Sequence, residues 1–418
     1  MHRAHADRCV WCRACWLALQ FAATKERRRH YSGWLAKVII IMRLVQEMRW
    51  ICLGIWLMLA LGVKDRPASA VAEDAGLAQN CTALLGEVQP GGLNASTVLS
   101  LAEAVGGAYL APLTWLAAQR FFPFPSHDNL TLQAYEMHPA DAPDAGAGSS
   151  ADLPVLVYCA GWTETSLKYS AFLLDLVQRG HSVYSFDFRG QGFSQNTGYD
   201  LGRYTHAHTF GEYVEDMRLF VAHVRGRHPG RAVSYVGNSL SGLVGLSTQL
   251  AYPGTFSRLA IAAPVIKPTA TLNPVLRYAL RWAHALGLGD RLLVRLGSDI
   301  AGLKLTHNEA IAEGWRRMRE VAPAQLMVQG PSLGWLSTLT EQGHHVLFRA
   351  HEMPSPLLVF VGSHDIFVDN QSIFEYAHAY GPGAVTVLKF ADCWHEIYTE
   401  APRVYGRVMA ELTVFLRE

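Results

Sequence analysis

From residue 155 onward, short unbroken apolar runs alternate with longer amphipathic stretches. The strand candidates are Val155–Cys159, Ser182–Phe186, Ala232–Val236, Leu259–Ala262, Leu357–Val361 and Val385–Phe390. The helix candidates are Leu167–Arg179, Glu212–Val224, Leu240–Leu250, Gln371–Tyr380 and Arg403–Leu416. Apolar strands without polar alternation are buried on both faces, and helices between them predict a mostly parallel sheet covered on each side. The expected fold class is α/β, with any active site at the strand carboxyl ends.

The pattern changes on either side of that core. A mostly helical stretch runs from Leu77 to Arg120, where Val98, Leu101, Ala102 and Val105 share one face and Gly106-Gly107 ends the pattern. A strand is expected at Leu130–Met137. Pro139–Asp152, rich in Ala, Asp, Gly and Ser, reads as a solvated loop. Between Pro264 and Met353 the regular alternation stops. Helical patterns at Leu276–Leu286 and Glu309–Val321, with Tyr278, Trp282, Trp315 and Trp335, are too long for a loop in a compact domain. A helical cap over the carboxyl edge, at about residues 264–353, is the simplest arrangement.

Near the N-terminus, Arg43 and Arg49 precede the apolar run from Trp50 to Leu61, and small residues follow from Pro67 to Ala72. That order is the pattern of an export signal with cleavage after Ala70 or Ala72, and the run is short for a membrane span of about 20 residues. Left uncleaved, it would serve as a signal anchor. The expected organisation is an extension with signal over residues 1–72 and one catalytic domain with its cap over 73–418. Cys9, Cys12, Cys15 and Cys52 lie in or before the signal, and the C-x-x-C-x-x-C spacing has no fourth ligand nearby. Cys81, Cys159 and Cys393 remain. Their odd number describes no disulfide framework, and buried free thiols are expected rather than a Cys159–Cys393 bridge. Four N-x-[ST] sequons, at Asn80, Asn94, Asn129 and Asn370, matter only in a glycosylating pathway.

The 418 residues are half hydrophobic and 17% charged, enough for a substantial core. A net charge of +1 gives no electrostatic reason to expect nucleic acid.

Candidate chemistry lies directly after the strand candidate Ala232–Val236, in Gly237-Asn238-Ser239-Leu240-Ser241-Gly242. A serine on a sharp strand-to-helix turn presents an exposed hydroxyl, with the first helical N–H groups beside it. Gly237 suits that turn; Ser241 stands where glycine is usual. The nucleophile needs a base and an orienting acid, which on α/β-hydrolase sheets follow in the order acid then histidine. Asp365, after Leu357–Val361, and His395, after Val385–Phe390, occupy those places. Asp369 suits capping, Asp392 only local assistance. His364 reverses the order, and His344 and His345 fall in the cap. Gly161 in Cys159-Ala160-Gly161-Trp162-Thr163-Glu164 allows the loop to turn its amides inward. The oxyanion donors expected are the backbone N–H groups of Trp162 and Leu240. The Trp162 ring is either a wall of the acyl pocket or ordinary packing. Asp187-Phe188-Arg189-Gly190-Gln191-Gly192 lacks the lysine of a phosphate loop and reads as a structural turn, Asp187 and Arg189 satisfying loop amides and carbonyls.

Gly161 with Glu164 and Tyr169, Asp187-x-Arg189-Gly190-x-Gly192-x-Ser194, the serine turn, Gly362-x-x-Asp365 and His395-Glu396 together resemble one branch of the α/β-hydrolases. It is the branch of monoacylglycerol lipases and bacterial lysophospholipases, which also includes serine aminopeptidases. The resemblance runs from about Phe121 to the C-terminus. Cys159-Ala160-Gly161, Leu305-Thr306-His307 and Gly330-Pro331-Ser332-x-x-Trp335 look most like the lysophospholipases. Ala160 stands where monoacylglycerol lipases carry a histidine, which removes a loop-ordering hydrogen bond, and Ser241 narrows the turn.

The resemblance implies a serine hydrolase acting on carboxylic esters of single-chain lipids, a lysophospholipid or monoacylglycerol. Ser239, His395 and Asp365 would form the triad, with no metal or organic cofactor. The implied partners are a small lipid ester and a membrane surface met through the cap or N-terminal segment. The implied location is exported, periplasmic or secreted. The competing expectations are an aminopeptidase or amidase, for which Glu309, Glu313 and Glu320 are the available cap acids, and a non-catalytic binding protein on the same scaffold. On this reading glycine at position 241 would leave activity intact or raise it.

Overall fold

The computed structural model describes residues 88–139, 153–196, 204–271, 273–291, 293, 305–328, 330–380 and 384–418. The chain divides into a unit of residues 1–66 and a unit of residues 67–418, and all described residues belong to the second. The expected signal, Cys81, the Asn80 sequon, the start of the helical stretch at Leu77 and the 140–152 loop lie outside them. No described helix is long and apolar enough to cross a membrane.

Eight strands form one sheet: β1 (Arg120–Pro125), β2 (Thr131–Met137), β3 (Val155–Cys159), β4 (Val183–Phe186), β5 (Val233–Asn238), β6 (Leu259–Ala262), β7 (Leu357–Gly362) and β8 (Val385–Phe390). Their order is β1-β2-β4-β3-β5-β6-β7-β8. β2 is antiparallel to both β1 and β4, and every pairing from β4 to β8 is parallel. The central strands β3, β4, β5, β6 and β7 are buried throughout, as their unbroken apolar runs require. β1, Arg-Phe-Phe-Pro-Phe-Pro, was not foreseen. Two prolines weaken its strand signal, and it lies at the sheet edge, where a missing ladder donor is tolerated.

Two layers of helix cover the sheet. On one face, α1 (Ala95–Val105), α2 (Gly107–Ala117), α3 (Ser170–Gln178) and α10 (Pro402–Arg417) pack on Tyr158, Val236, Ala260, Leu358 and Phe360. Asn94 caps α1 by accepting the Thr97 N–H, and Val98, Leu101, Ala102 and Val105 are its buried stripe. Gly106 takes φ 62° and caps the end of α1, where the glycine pair was expected to end the helix, and the chain turns there into α2. On the opposite face are α4 (Gly211–Arg227) and α5 (Leu240–Ala251). Phe220 of α4 lies 4.6 Å from the Phe186 ring, and Gly245 of α5 meets the Tyr235 ring with no room for a Cβ. α9 (Asn370–Tyr380) connects β7 to β8.

Between β6 and β7 the chain forms α6 (Pro274–Ala283), which continues into one π-helical turn at His284–Leu288, then α7 (Glu309–Val321) and α8 (Leu333–Phe348). This is the expected helical insertion. α8 is its longest described helix and had no periodic signal, because Gly334, Gly343 and a run of Ser, Thr and His break its apolar face.

Candidate active site

Ser239 joins β5 to α5 at φ 55° and ψ −117°. A non-glycine residue holds such angles only where its surroundings impose them. Its N–H donates to Ala262 O at 2.9 Å, and its carbonyl accepts the Val265 N–H at 3.2 Å. A Cβ on Gly237 would stand 2.7 Å from Ser241 Oγ, and one on Gly242 would stand 2.4 Å from the Ile261 side chain. The turn is as tight as the sequence suggested. The Ser239 hydroxyl is half-buried and makes no hydrogen bond among the described residues.

Ser241 has a part that the sequence did not reveal. Its hydroxyl accepts the Asn238 N–H at 2.7 Å and lies 2.7 Å from Cys159 O and 2.9 Å from Asn238 O. It therefore extends the ladder between β3 and β5 by one side-chain atom at the point where the strands separate. The group is fully buried. Glycine there would strand a donor and an acceptor, which typically costs about 1–3 kcal/mol, so the expectation of a harmless exchange is corrected.

Asp365 and His395 are on adjacent loops at the carboxyl ends of β7 and β8, on the same sheet edge as Ser239. His395 Nδ1 is 2.7 Å from Asp365 Oδ2. The loops are stitched together: Ser363 N–H donates to Phe390 O, His364 N–H to Cys393 O, and Asp392 N–H to Ser363 Oγ. Gly362 is required there, since a Cβ would stand 2.0 Å from Trp394 O. The other carboxylate oxygen, Asp365 Oδ1, accepts the Phe367 N–H at 2.8 Å and the Val368 N–H at 3.1 Å. Burial pushes the Asp365 carboxyl up, but the imidazole and these two amides outweigh it and hold it below its usual value. Burial would depress the His395 imidazole, yet the Asp365 carboxylate, with Glu396 and Glu164 behind it, holds it above its usual value.

The loop after β3 reaches the serine from the other side. A Cβ on Gly161 would stand 3.4 Å from Ser239 Cβ. The N–H groups of Trp162 and Leu240, the expected oxyanion donors, have no acceptor among the described residues. The Trp162 ring is stacked on Trp335 of α8 at 5.1 Å, and its Nε1–H donates to Thr205 Oγ1 at 2.7 Å. That ring packs against the cap.

Behind the loop lies a buried ion cluster that sequence reasoning missed. Lys168 Nζ donates to Glu164 Oε1 at 2.5 Å and also to Glu396 Oε1. The lysine side chain is 1% exposed, and the two carboxylates are 9% and 3% exposed. Glu164 Oε2 accepts from the Gly161 N–H, the Tyr169 hydroxyl and Asn238 Nδ2. Glu396 follows His395 directly. One cluster therefore touches the loop after β3, the serine turn and the histidine loop. Burial pushes Glu164 up and Lys168 down, but their mutual attraction reverses both shifts. For Glu396 burial prevails and the carboxyl is raised. Glu164 and Glu396 were visible only as members of motifs, while Lys168 carried no signal.

The rival residues make other contacts. Asp369 accepts the Gln371 N–H and starts α9. Asp392 and His364 are exposed and sit 3.7 Å apart. His344 and His345 are on α8, and Glu309, Glu313 and Glu320 are exposed on α7, the last two paired with Arg316. Asp187 satisfies the Ser166 and Phe193 N–H groups, as expected. Arg189 instead binds carboxylates, those of Asp128, Glu212 and Asp216. His127, Asp128 and Asp216 bring ligand-type atoms within 4.8 Å of one another, but Arg189 Nη2 is 3.0 Å from each of the three and already supplies the positive charge. Cys159 and Cys393 are buried free thiols.

This sheet order, with a strained serine after β5 and a carboxylate–imidazole pair after β7 and β8, defines an α/β-hydrolase. Residues 152–402 match the family described as serine aminopeptidase, S33. The chain belongs to that family, in its lysophospholipase and monoacylglycerol lipase branch, and is by class a carboxylic ester hydrolase. Lysophospholipase L2 of Escherichia coli K12 is 26% identical over 265 residues, covering 59% of this chain and 75% of that protein. A soluble variant of the Saccharomyces cerevisiae monoglyceride lipase superposes with a TM-score of 0.57 at 15% identity, covering 71% of this chain and 94% of that one. The Paleococcus ferrophilus monoacylglycerol lipase gives 0.54 at 17% identity over 68% and 98% of the two chains.

Proposed function

We propose that this enzyme cleaves carboxylic esters of single-chain lipids, a lysophospholipid or a monoacylglycerol, through an acyl-enzyme on Ser239. The observation that carries the proposal is the strained Ser239 turn on the same sheet edge as the hydrogen-bonded His395–Asp365 pair. Ser239 Oγ attacks the ester carbonyl while His395 Nε2 takes its proton, and Asp365 holds Nδ1–H and so fixes the ring and its tautomer. The Trp162 and Leu240 N–H groups receive the oxyanion. His395 then protonates the leaving alcohol, and an activated water releases the fatty acid. The lysophospholipase relatives and the apolar cap support a lipid substrate. Glu309, Glu313 and Glu320 of α7 are all exposed, the last two tied to Arg316, so none of them offers an aminopeptidase a buried acid to bind an amine. The test is labelling by a fluorophosphonate, followed by turnover of lysophospholipid, monoacylglycerol and aminoacyl-anilide. The label is expected on Ser239, with the lipid esters turned over faster. A label elsewhere, or faster anilide cleavage, would refute the proposal.

The N-terminal signal and the cap support a site of action at a membrane surface outside the cytoplasm. Val275, Tyr278, Trp282 and Leu286 lie at i, i+3, i+7 and i+11 along α6 and its π turn, and are 50%, 60%, 67% and 71% exposed. Arg281 beside them is also exposed. It lies 3.8 Å from Glu341 Oε1; an exposed apolar stripe flanked by this arginine suits a lipid surface with anionic head groups. Burying a large apolar side chain is worth about 1.5–3 kcal/mol. Replacing Trp282 and Leu286 together by serine is therefore expected to weaken binding to phosphatidylglycerol vesicles at least about tenfold, with turnover of a soluble short-chain ester kept. Unchanged cosedimentation of the variant would exclude this face. Sequencing the exported protein from its N-terminus would locate cleavage at Ala70 or Ala72, and an intact Arg49–Leu61 segment would instead mark an anchor.

A further inference from the structure

Residues 161–164 make no backbone–backbone hydrogen bond among the described residues. Ala160 has no side chain that could order the loop, and Thr163 holds φ 66°, a strained angle for a β-branched residue. Something else fixes this segment. Gln191, 1% exposed in the turn after β4, supplies most of it. Its Nε2 donates to Gly161 O at 2.7 Å and to Glu164 O at 3.0 Å, and its Oε1 accepts the strained Thr163 N–H at 3.2 Å. Glu164 Oε2 accepts the Gly161 N–H from the other side at 2.8 Å.

The first of these contacts bears on the chemistry. Gly161 C=O and Trp162 N–H belong to one peptide plane. No cis peptide bond occurs among the described residues, so the two groups point in opposite directions across that plane. Holding the carbonyl oxygen from the interior aims the Trp162 N–H to the opposite side of the plane, in a loop where a Cβ on Gly161 would stand 3.4 Å from Ser239 Cβ. We infer that Gln191 is the positioning residue of the oxyanion hole, fixing the Gly161–Trp162 peptide from a loop that never touches substrate. The inference rests on the proposed role of the Trp162 N–H.

The geometry needs a carboxamide of this length, since a single side chain must donate twice and accept once. Methionine matches glutamine in length but makes no such hydrogen bonds; asparagine keeps the amide and falls one methylene short. Loss of one oxyanion donor typically costs about 10²–10³ in kcat, and misdirecting it rather than deleting it should cost about 10–100-fold.

Wild type, Gln191→Met and Gln191→Asn are compared with a p-nitrophenyl acyl ester, each kcat being counted per serine titrated by a fluorophosphonate. Unfolded protein then drops out of the comparison. Both variants are expected to lose about 10–100-fold in kcat with KM within threefold, and to bind an alkyl boronic acid, whose adduct places an oxygen in the oxyanion hole, correspondingly more weakly. Affinity for the product fatty acid should not move. A kcat per titrated serine within threefold of wild type, or a fall in kcat without weaker boronate binding, would overturn the assignment. If the wild type is not labelled on Ser239, the underlying triad proposal fails instead, and the two failures are separate.

Discussion

Asparagine in place of Asp365 should lower kcat about 10⁴-fold and leave KM within a few-fold. The reason lies in the two oxygens. Oδ1 accepts from the Phe367 and Val368 N–H groups, while Oδ2 faces His395 Nδ1. An asparagine must keep its only oxygen on the two amides, so its NH₂ group faces the imidazole. A donor there turns His395 Nδ1 into an acceptor and moves the ring proton to Nε2, the atom that must take the proton of Ser239. The same change shifts the pH profile. Asp365 is the main influence raising the His395 imidazole, against burial, which lowers it. Without the carboxylate the imidazole titrates lower, so the acid limb of kcat/KM should move to lower pH although the plateau falls. A kcat within tenfold of wild type, or an unmoved acid limb, would show that Asp365 does not govern this histidine.

Methionine in place of Lys168 should destabilise the fold by about 3–5 kcal/mol at neutral pH, the usual result of removing one partner from a buried ion cluster. Glu164 and Glu396 would then share a dry site with no cation. Their carboxyls would be raised far above their unfolded values. Groups raised in this way favour the fold below their unfolded pKa and disfavour it as pH climbs through the folded one. The gap between variant and wild type should therefore shrink as pH falls toward 5. A cavity or packing defect would give a gap independent of pH. Urea unfolding at pH 7.5 and pH 5 separates the two, and adding Glu396→Gln to the variant should recover part of the loss. A loss below 1 kcal/mol, or one equal at both pH values, would leave the cluster without energetic weight.

The parallel core was legible because burial on both faces writes itself as unbroken apolar runs. Val155–Cys159, Leu259–Ala262 and Val385–Phe390 appear with those bounds, and the other core strands differ by one or two residues at one or both ends. β1 and α8 were not legible, for opposite reasons. Prolines weakened an edge strand that does not need every N–H, and glycines interrupted a helix that packs closely. The Gly343 Cβ position lies 1.9 Å from Ile266 O, which no residue with a side chain would permit. At the site, the serine turn, Asp365 and His395 could be found from their places after strands. Lys168, Gln191 and the part of Ser241 could not. Each has a partner brought near from more than 20 residues away, Glu396 for Lys168, Gly161 for Gln191 and Cys159 for Ser241, and sequence periodicity carries no trace of such contacts.

The insertion between β6 and β7 also has consequences for how this enzyme can be altered. At its start, Val265 N–H donates to Ser239 O, Thr269 N–H to Phe367 O, and Lys267 O accepts the Asp369 N–H. Midway along it, just before α7, Leu305 O accepts the Glu396 N–H, Thr306 Oγ1 donates to Thr399 O, and the His307 ring stacks 3.8 Å from Trp394. The insertion is thus fastened at its start and at its middle to all three loops that carry Ser239, Asp365 and His395. Replacing either fastened segment by that of a relative would carry foreign anchors into those loops. A graft that keeps residues 265–269 and 305–307 exchanges helices of the insertion and leaves the three loops on their own supports.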